Sequence, residues 1–257
     1  MTTILIIEGH SPETVQQGRS YAASFLSVLM AIDPGLRIRV QNPNLRPVTA
    51  DDFTGVDGVV FTGSAVEWNT SDPRGKPQAD AMKAAFAEKL PCWGSCNGLQ
   101  LLATVLGGTV GASPNGHESG LARDIRLTEA GKSHPMMAGR QDGFASPCIH
   151  RDEIQTLPKG AVLMAGNAHS PVQAVAYKVD GIDFWGTQYH PELTPEDIAG
   201  ALARVDADKH AEKIADLMAA STDPDAAARL GTTPDAMGLP DRTRELSNWL
   251  EHVKARA

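Results

Sequence analysis

Cys96 stands between two glycines in Gly94-Ser95-Cys96-Asn97-Gly98, directly after a strand-like run and directly before a helix-like one. A strand that turns sharply into a helix leaves the residue at the bend exposed, and small neighbours let the backbone take the strained dihedrals the bend requires. Cys96 is therefore the candidate nucleophile. Far downstream, His190-Pro191-Glu192 supplies an imidazole and a carboxylate that would complete a thiol triad. Alternate residues on an extended segment point the same way, and a residue before proline is biased to extended geometry, so His190 and Glu192 can face one another across Pro191. The chemistry such a set performs is acyl transfer.

Three cysteines, at 92, 96 and 148, form no secreted disulfide framework, and an odd number leaves a free thiol in any intramolecular pairing. Cys92 lies in an apolar strand and reads as core, and Cys148 as structural. A zinc site built from Cys92, Cys96, His150 and His190 is disfavoured, because the cysteine spacing is not the usual two-residue separation and there is no second cysteine pair. No metal or other cofactor is called for.

These groups need elements to position them. Thr3 to Glu8 reads as a buried strand, and Ser11-Pro12-Glu13 opens one helix whose apolar face is Val15, Tyr21, Ala22, Phe25, Leu26 and Leu29. Leu36 to Val40 and Asp57 to Thr62 read as further strands, and the latter ends in Gly63-Ser64. A helix from about Pro77 to Lys89 leads into Pro91-Cys92-Trp93, the cysteine turn, and a helix from Leu99 to Leu106 that Gly107-Gly108 stops. This alternation predicts an α/β fold, a doubly wound and mostly parallel sheet with flanking helices. After Gly108 come shorter strand-like pieces, Ile125 to Leu127, Val162 to Ala165, Val172 to Tyr177 and Phe184 to Tyr189, expected to form small antiparallel additions. From about Pro195 the chain turns helical, with Ile198 to Met218 and Arg242 to Val253 as its elements and a Pro-, Asp-, Gly- and Thr-rich connector between them.

The 257 residues suit one large or two modest domains, and the formal net charge of -8 argues against a nucleic-acid binder, which needs a basic face to neutralise phosphates. No apolar run approaches the ~18 residues of a membrane span, and Thr3 to Glu8 starts too early and is too short for a signal peptide. A soluble cytoplasmic protein is expected, without nucleic-acid or membrane partners. Its oligomeric state, a homo-oligomer included, is left open.

Together these residues give the chain a family likeness: it resembles the class I (triad type) glutamine amidotransferases, nearest to stand-alone proteins similar to the amidotransferase half of GMP synthase. The likeness rests on Gly63-Ser64 after a strand, Gly94-x-Cys96-x-Gly98-x-Gln100, Leu106-Gly107-Gly108 and Gln188-Tyr189-His190-Pro191-Glu192, in the family's order and spacing. It covers residues 1 to about 198. The resemblance implies a flavodoxin-like amidotransferase domain over 1–198, with a helical C-terminal extension, 199–257, packed on or beside it. It also implies a Cys96-His190-Glu192 triad, an oxyanion site at Gly63, Ser64 and the Asn97 amide, and a substrate side that includes Gln100, Ile149 and His150. The chain departs from the pattern in three places, one of which is a helical tail beyond residue 200 longer than a minimal amidotransferase domain needs. Ala65 follows Gly63-Ser64 where GMP synthase has proline, and Ile149 replaces the serine of the family's Ser-His-x-Asp segment. Glu118, in Gly116-His117-Glu118-Ser119-Gly120, is similar to a family segment near the site, although a hydrogen-bonded turn carboxylate explains it equally well.

The first functional expectation is a glutaminase that forms a γ-glutamyl thioester on Cys96 and releases ammonia to a synthetase or acceptor-binding subunit on another chain. This chain has no GxxxxGK[ST] or Ser-Gly-Gly nucleotide motif with which to activate an acceptor itself. The second is a self-sufficient hydrolase of γ-glutamyl amides or peptides, which needs a pocket open beyond the γ-carbonyl. Ile149 and the loop after Gly63 favour it. The third, a non-catalytic ligand-binding relative, is opposed by the intact Cys96, His190 and Glu192.

Overall fold

The computed structural model describes residues 1–256. Strand β1 (Thr3–Ile7) is buried along its whole length because β2 (Arg37–Gln41) and β3 (Gly58–Phe61) pair with it in parallel on either side. Its side chains alternate between two cores: Ile4 and Ile6 face one, Leu5 and Ile7 the other. That is the pattern of a sheet covered by helices on both faces. The expected first helix is two. Helix α1 (Pro12–Gln16) ends before Gly18, whose φ of +77° breaks the run, and α2 (Tyr21–Ile32) restarts on the Ser20 N-cap.

Helix α3 (Lys76–Ala87) precedes β4 (Pro91–Ser95), and α4 (Asn97–Val105) follows the cysteine. The second half supplies β5 (Thr109–Ala112), β6 (Glu118–Leu127), the short α5 (Glu129–Ser133), β7 (Phe144–His150), β8 (Asp152–Thr156), β9 (Ala161–Gly166), β10 (Ala174–Val179) and β11 (Ile182–Thr187). Nine strands make one sheet in the order β2-β1-β3-β4-β11-β10-β9-β6-β7, while β5 and β8 form a separate ribbon. From β2 to β11 all pairs are parallel, and from β11 onward they are antiparallel. The mostly parallel centre with antiparallel additions is the expected architecture.

The C-terminal region is helical: α6 (Pro195–Asp206), α7 (Ala211–Ala219), α8 (Pro224–Arg229), α9 (Pro234–Met237), α10 (Leu239–Arg242) and α11 (Arg244–Lys254). The expected helix from Ile198 to Met218 is broken after Asp206, whose carboxylate accepts the Lys209 amide at 3.0 Å and closes a turn. The expected connector also contains helices, since Asp223 and Thr233 are N-caps with Pro224 and Pro234 at the first helical turn. The boundary drawn at 198/199 falls inside α6. Helix α11 joins the main core, where Trp249 packs 6.3 Å from Trp93 of β4, centroid to centroid. No helix among the described residues is long and apolar enough to cross a membrane.

Candidate active site

Cys96 sits at the C-terminal edge of the parallel strands with φ +49° and ψ −104°, a conformation that non-glycine residues rarely adopt. Its amide donates to the Thr187 carbonyl at the end of β11, 2.7 Å away, which fixes the bend. The flanking glycines are required by packing. A Cβ on Gly94 would stand 2.5 Å from Phe184 Cζ, and one on Gly98 would stand 2.3 Å from the Phe61 carbonyl oxygen. Helix α4 is thus pressed against β3 and β4 as closely as backbones allow. Cys96 is 7% exposed and lines a deep cleft.

His190 and Glu192 face one another across Pro191 as expected, with Nδ1–H donating to Glu192 Oε1 at 2.7 Å. Both side chains are buried. Glu192 Oε2 accepts from Ser95 Oγ at 3.0 Å, and Ser95 Oγ in turn accepts from Trp93 Nε1. Burial alone would push the His190 pKa down, but the Glu192 carboxylate and the negative charge the Cys96 sulfur can carry reverse this and raise it to about 10. Nε2 is buried and closes no hydrogen bond in this geometry. Cys96 is the polar group beside it, and such contacts are often long before substrate binds.

Of the expected oxyanion donors, Ser64 and Asn97 line the same cleft as Cys96. Asn97 opens α4, and its amide is one of those a helix leaves without an intrahelical acceptor. Among the described residues the Gly63 and Ser64 amides likewise find no protein acceptor. Gly63 lies against the imidazole, since a Cβ there would be 2.9 Å from His190 Cε1. Ser64 anchors the loop through Oγ to the Gly9 carbonyl at 2.8 Å.

The cleft encloses about 630 Å³. Gln100 lines it, yet its Nε2 already donates to the Asp152 carbonyl at 2.7 Å and to Gln188 Oε1 at 3.1 Å. Ile149 lines it as well, and its carbonyl is 3.9 Å from the sulfur. His150 reaches the wall, but both ring nitrogens are engaged, Nδ1 with the Asp152 carbonyl at 3.1 Å and Nε2 with Glu118 Oε2 at 2.9 Å. Glu118 also accepts from Asn167 and Gln173. Burial would push its carboxyl up, but these donors outweigh burial and hold it below its ordinary range. Glu118, Cys148 and His150 therefore form one buried network bonded within the protein. Cys92 is buried among apolar groups, which drive its thiol up. Trp68 lines the cleft under Arg74, whose guanidinium is 4.3 Å from the ring centroid.

Several residues were not singled out from the sequence as part of the site. Tyr21 packs its ring 5.6 Å from that of His190 and against Gly63. Arg242, in α10, donates from Nη1 to the carbonyls of Pro191 and Leu193 at 2.6 and 2.9 Å, clasping the triad segment on both sides. Glu245 accepts from the Tyr189 hydroxyl at 2.7 Å and pairs with Arg140 at 2.5 Å. One face of α6, from Glu196 to Val205, forms a wall of the cleft.

Comparison with known proteins agrees with this arrangement. The family described as glutamine amidotransferase class-I matches residues 18–205. A γ-glutamyl-L-1-hydroxyisopropylamide hydrolase from a Pseudomonas species is 34% identical over 189 residues, which cover 72% of this chain and 64% of that protein. A glutamine-hydrolysing GMP synthase from Thiobacillus denitrificans is 34% identical over 125 residues, covering 44% of this chain and 22% of that one. The chain thus spans less than two thirds of the length of these relatives. Among solved structures, a glutamine amidotransferase from Thermotoga maritima superposes with a TM-score of 0.68 at 18% identity, over 98% of this chain and 97% of that one. One from Methylobacillus flagellatus gives 0.60 at 22% identity, over 99% and 92%. At such identities the likeness is one of fold. The match over most of the chain, together with the elbow cysteine and the His-Pro-Glu segment, makes this protein a member of the class I glutamine amidotransferase family.

Proposed function

We propose that this protein is a thiol-dependent hydrolase of γ-glutamyl amides with Cys96 as nucleophile, His190 as acid and base, and Glu192 as the group that orients the imidazole. The Cys96 sulfur gives its proton to His190 and attacks the γ-carbonyl, forming a C–S bond. The oxyanion that develops meets the amides of Asn97, Gly63 and Ser64. The C–N bond then breaks as the leaving nitrogen takes the proton from His190 Nε2. Water, losing a proton to the same imidazole, cleaves the thioester and releases glutamate, so amide and water become glutamate and amine. His190 is suited to this exchange because Glu192 holds Nδ1–H, which leaves Nε2 facing the sulfur.

The observation that carries the hydrolase reading is the cleft. Its 630 Å³ takes in Gln100 and Cys96 and reaches the wall that α6 forms, including Gly200 and Arg204. That volume falls in the roughly 300–1,000 Å³ range of sites for drug-sized ligands, well beyond what free glutamine fills. The Pseudomonas relative, named for an amide whose amine is larger than ammonia, points the same way. A second reading, a glutaminase that supplies ammonia to a separate synthetase or acceptor-binding subunit, is favoured by the GMP synthase relatives. Intact-mass analysis after mixing the protein with glutamine and a panel of γ-glutamyl amides tests both. The hydrolase reading requires a glutamyl adduct on Cys96 and turnover of a substituted amide by this chain alone. It fails if glutamine labels the protein only when another protein is added.

A further inference from the structure

The part of the cleft remote from Gln100 lies between the start of α2 and α6, with Ser20, Tyr21 and Ser24 on one side and Gly200, Ala201 and Arg204 on the other. Tyr21 places it next to the leaving group, since its ring packs 5.6 Å from the imidazole that protonates the departing nitrogen. Gly200 is inside α6, where glycine costs helix stability. No protein contact demands it there. A Cβ at Gly200 would meet a single atom within 4 Å, Arg204 Nη1 at 3.5 Å, which is ordinary contact. The missing side chain therefore leaves room in the cleft and relieves no clash.

Arg204 folds back over this gap. Of the other arginines that line the cleft, Arg151 pairs with Asp152 and Arg19 donates to the Gln17 side-chain oxygen, whereas Arg204, among the described residues, has no carboxylate within 4.0 Å. Burial, then Cys96 and Glu192, push the Tyr21 phenol up, and Arg204 pulls it the other way, so the guanidinium charge is felt within the cleft. Glu196 and Asp197, the acidic residues on the same wall, are engaged with the Ser221 hydroxyl and with Thr194.

We infer that this arm is the subsite for the amine part of a γ-glutamyl amide, that Gly200 sets its width, and that Arg204 selects amines bearing a carboxylate, as in a γ-glutamyl amino acid. The guanidinium and a carboxylate match in charge and in their paired donor and acceptor geometry. This rests on the hydrolase reading and names its substrate class.

The test compares kcat/KM of the full chain for γ-glutamylglycine, γ-glutamylethylamide and glutamine, in the parent, Arg204→Met and Gly200→Leu. The parent is expected to prefer γ-glutamylglycine over the ethylamide, and Arg204→Met to lower that ratio at least about tenfold, the smaller end for a lost charged hydrogen bond. Gly200→Leu is expected to lower both substituted amides relative to glutamine at least about tenfold by filling the arm. It also improves helix propensity, so a thermal melt no lower than the parent's shows that it folds. A merely structural role for either residue would lower all substrates alike and leave the ratios in place, which overturns the inference. A parent that turns over both amides equally, or prefers the ethylamide, overturns the carboxylate assignment while the hydrolase reading stands. A parent that turns over glutamine but neither amide, or none of the three, overturns both.

Discussion

Arg242→Met removes the clasp on the triad segment while keeping a long apolar stem, and the structure sets the size of the effect. The guanidinium makes two hydrogen bonds, to Pro191 O at 2.6 Å and Leu193 O at 2.9 Å. Bonds with a charged partner contribute about 1.5–3 kcal/mol each, so the gross loss is about 3–6 kcal/mol. Against this, methionine relieves the cost of a guanidinium held out of water, which leaves a net loss of about 2–4 kcal/mol. For a chain of this length that corresponds to a fall in Tm of roughly 4–16 °C. Activity should suffer separately, because the carbonyls released belong to the residues flanking Glu192. A displacement of about 1 Å in the imidazole costs on the order of 10²-fold in turnover. The assay is a thermal melt together with kcat at a temperature well below the variant's Tm. A Tm within about 2 °C of the parent, or a kcat that survives intact in the folded variant, refutes the view that the C-terminal helices hold the site in place.

Cys96→Ala should abolish both turnover and the glutamyl adduct while preserving the fold, as read by mass and circular dichroism. Glu192→Gln removes the charge that reverses the effect of burial on His190, so the His190 pKa falls from about 10. The alkaline limb of the kcat/KM profile should then move to lower pH, with a loss of about 10²–10⁴-fold at its maximum. The linked stability has a definite sign. Because the folded pKa is raised from 6.5, the parent's advantage over Glu192→Gln is complete below about pH 6.5 and disappears as pH rises toward about 10, which denaturant titrations at several pH values measure. Gly98→Ala puts a methyl 2.3 Å from the Phe61 carbonyl oxygen, so insoluble or unfolded protein is the expected outcome, and a folded and active variant would contradict the packing. Gly200→Ala should instead stabilise by about 0.5–1 kcal/mol, read from the denaturation midpoint.

The parallel half of the fold was legible because its signals are local. Thr3 to Ile7 alternates between two cores, and α4 is bounded by the elbow on one side and by Gly107, with φ +87°, on the other. The antiparallel half was only partly so. β7 carries Pro147, which lowers its reading as a strand, but β7 is the last strand of the sheet, and an edge tolerates a residue without an amide proton. The Pro147 carbonyl there accepts the His190 amide at 2.8 Å, so this strand also positions the imidazole. In the tail, Pro, Asp and Thr mark turns and helix starts alike, and only packing distinguishes the two. Cys96, His190 and Glu192 could be picked out because their types and order are unusual. Arg242, Glu245 and Tyr21 could not, since a buried arginine that binds carbonyls far away in sequence leaves no periodic or compositional trace.

Cys96 shows why the supports lie so far from it in sequence. A non-glycine residue at φ +49° costs about 1–3 kcal/mol and persists only where its surroundings outweigh that cost. Here the bend is held by the Thr187 carbonyl on β11, by Gly94 and Gly98 locking α4 against β3, and by Ser95, whose hydroxyl reaches Glu192. The strand that receives the Cys96 amide is the strand that leads into Tyr189 and His190, and Tyr189 is tied through Glu245 to α11. Cys96, His190 and Glu192 are therefore fixed relative to one another by a single frame, and α11 closes that frame by packing Trp249 on Trp93. Shortening the chain before α10 would remove Arg242, Glu245 and Trp249 together, and with them the groups that hold the His190 segment opposite the strained cysteine.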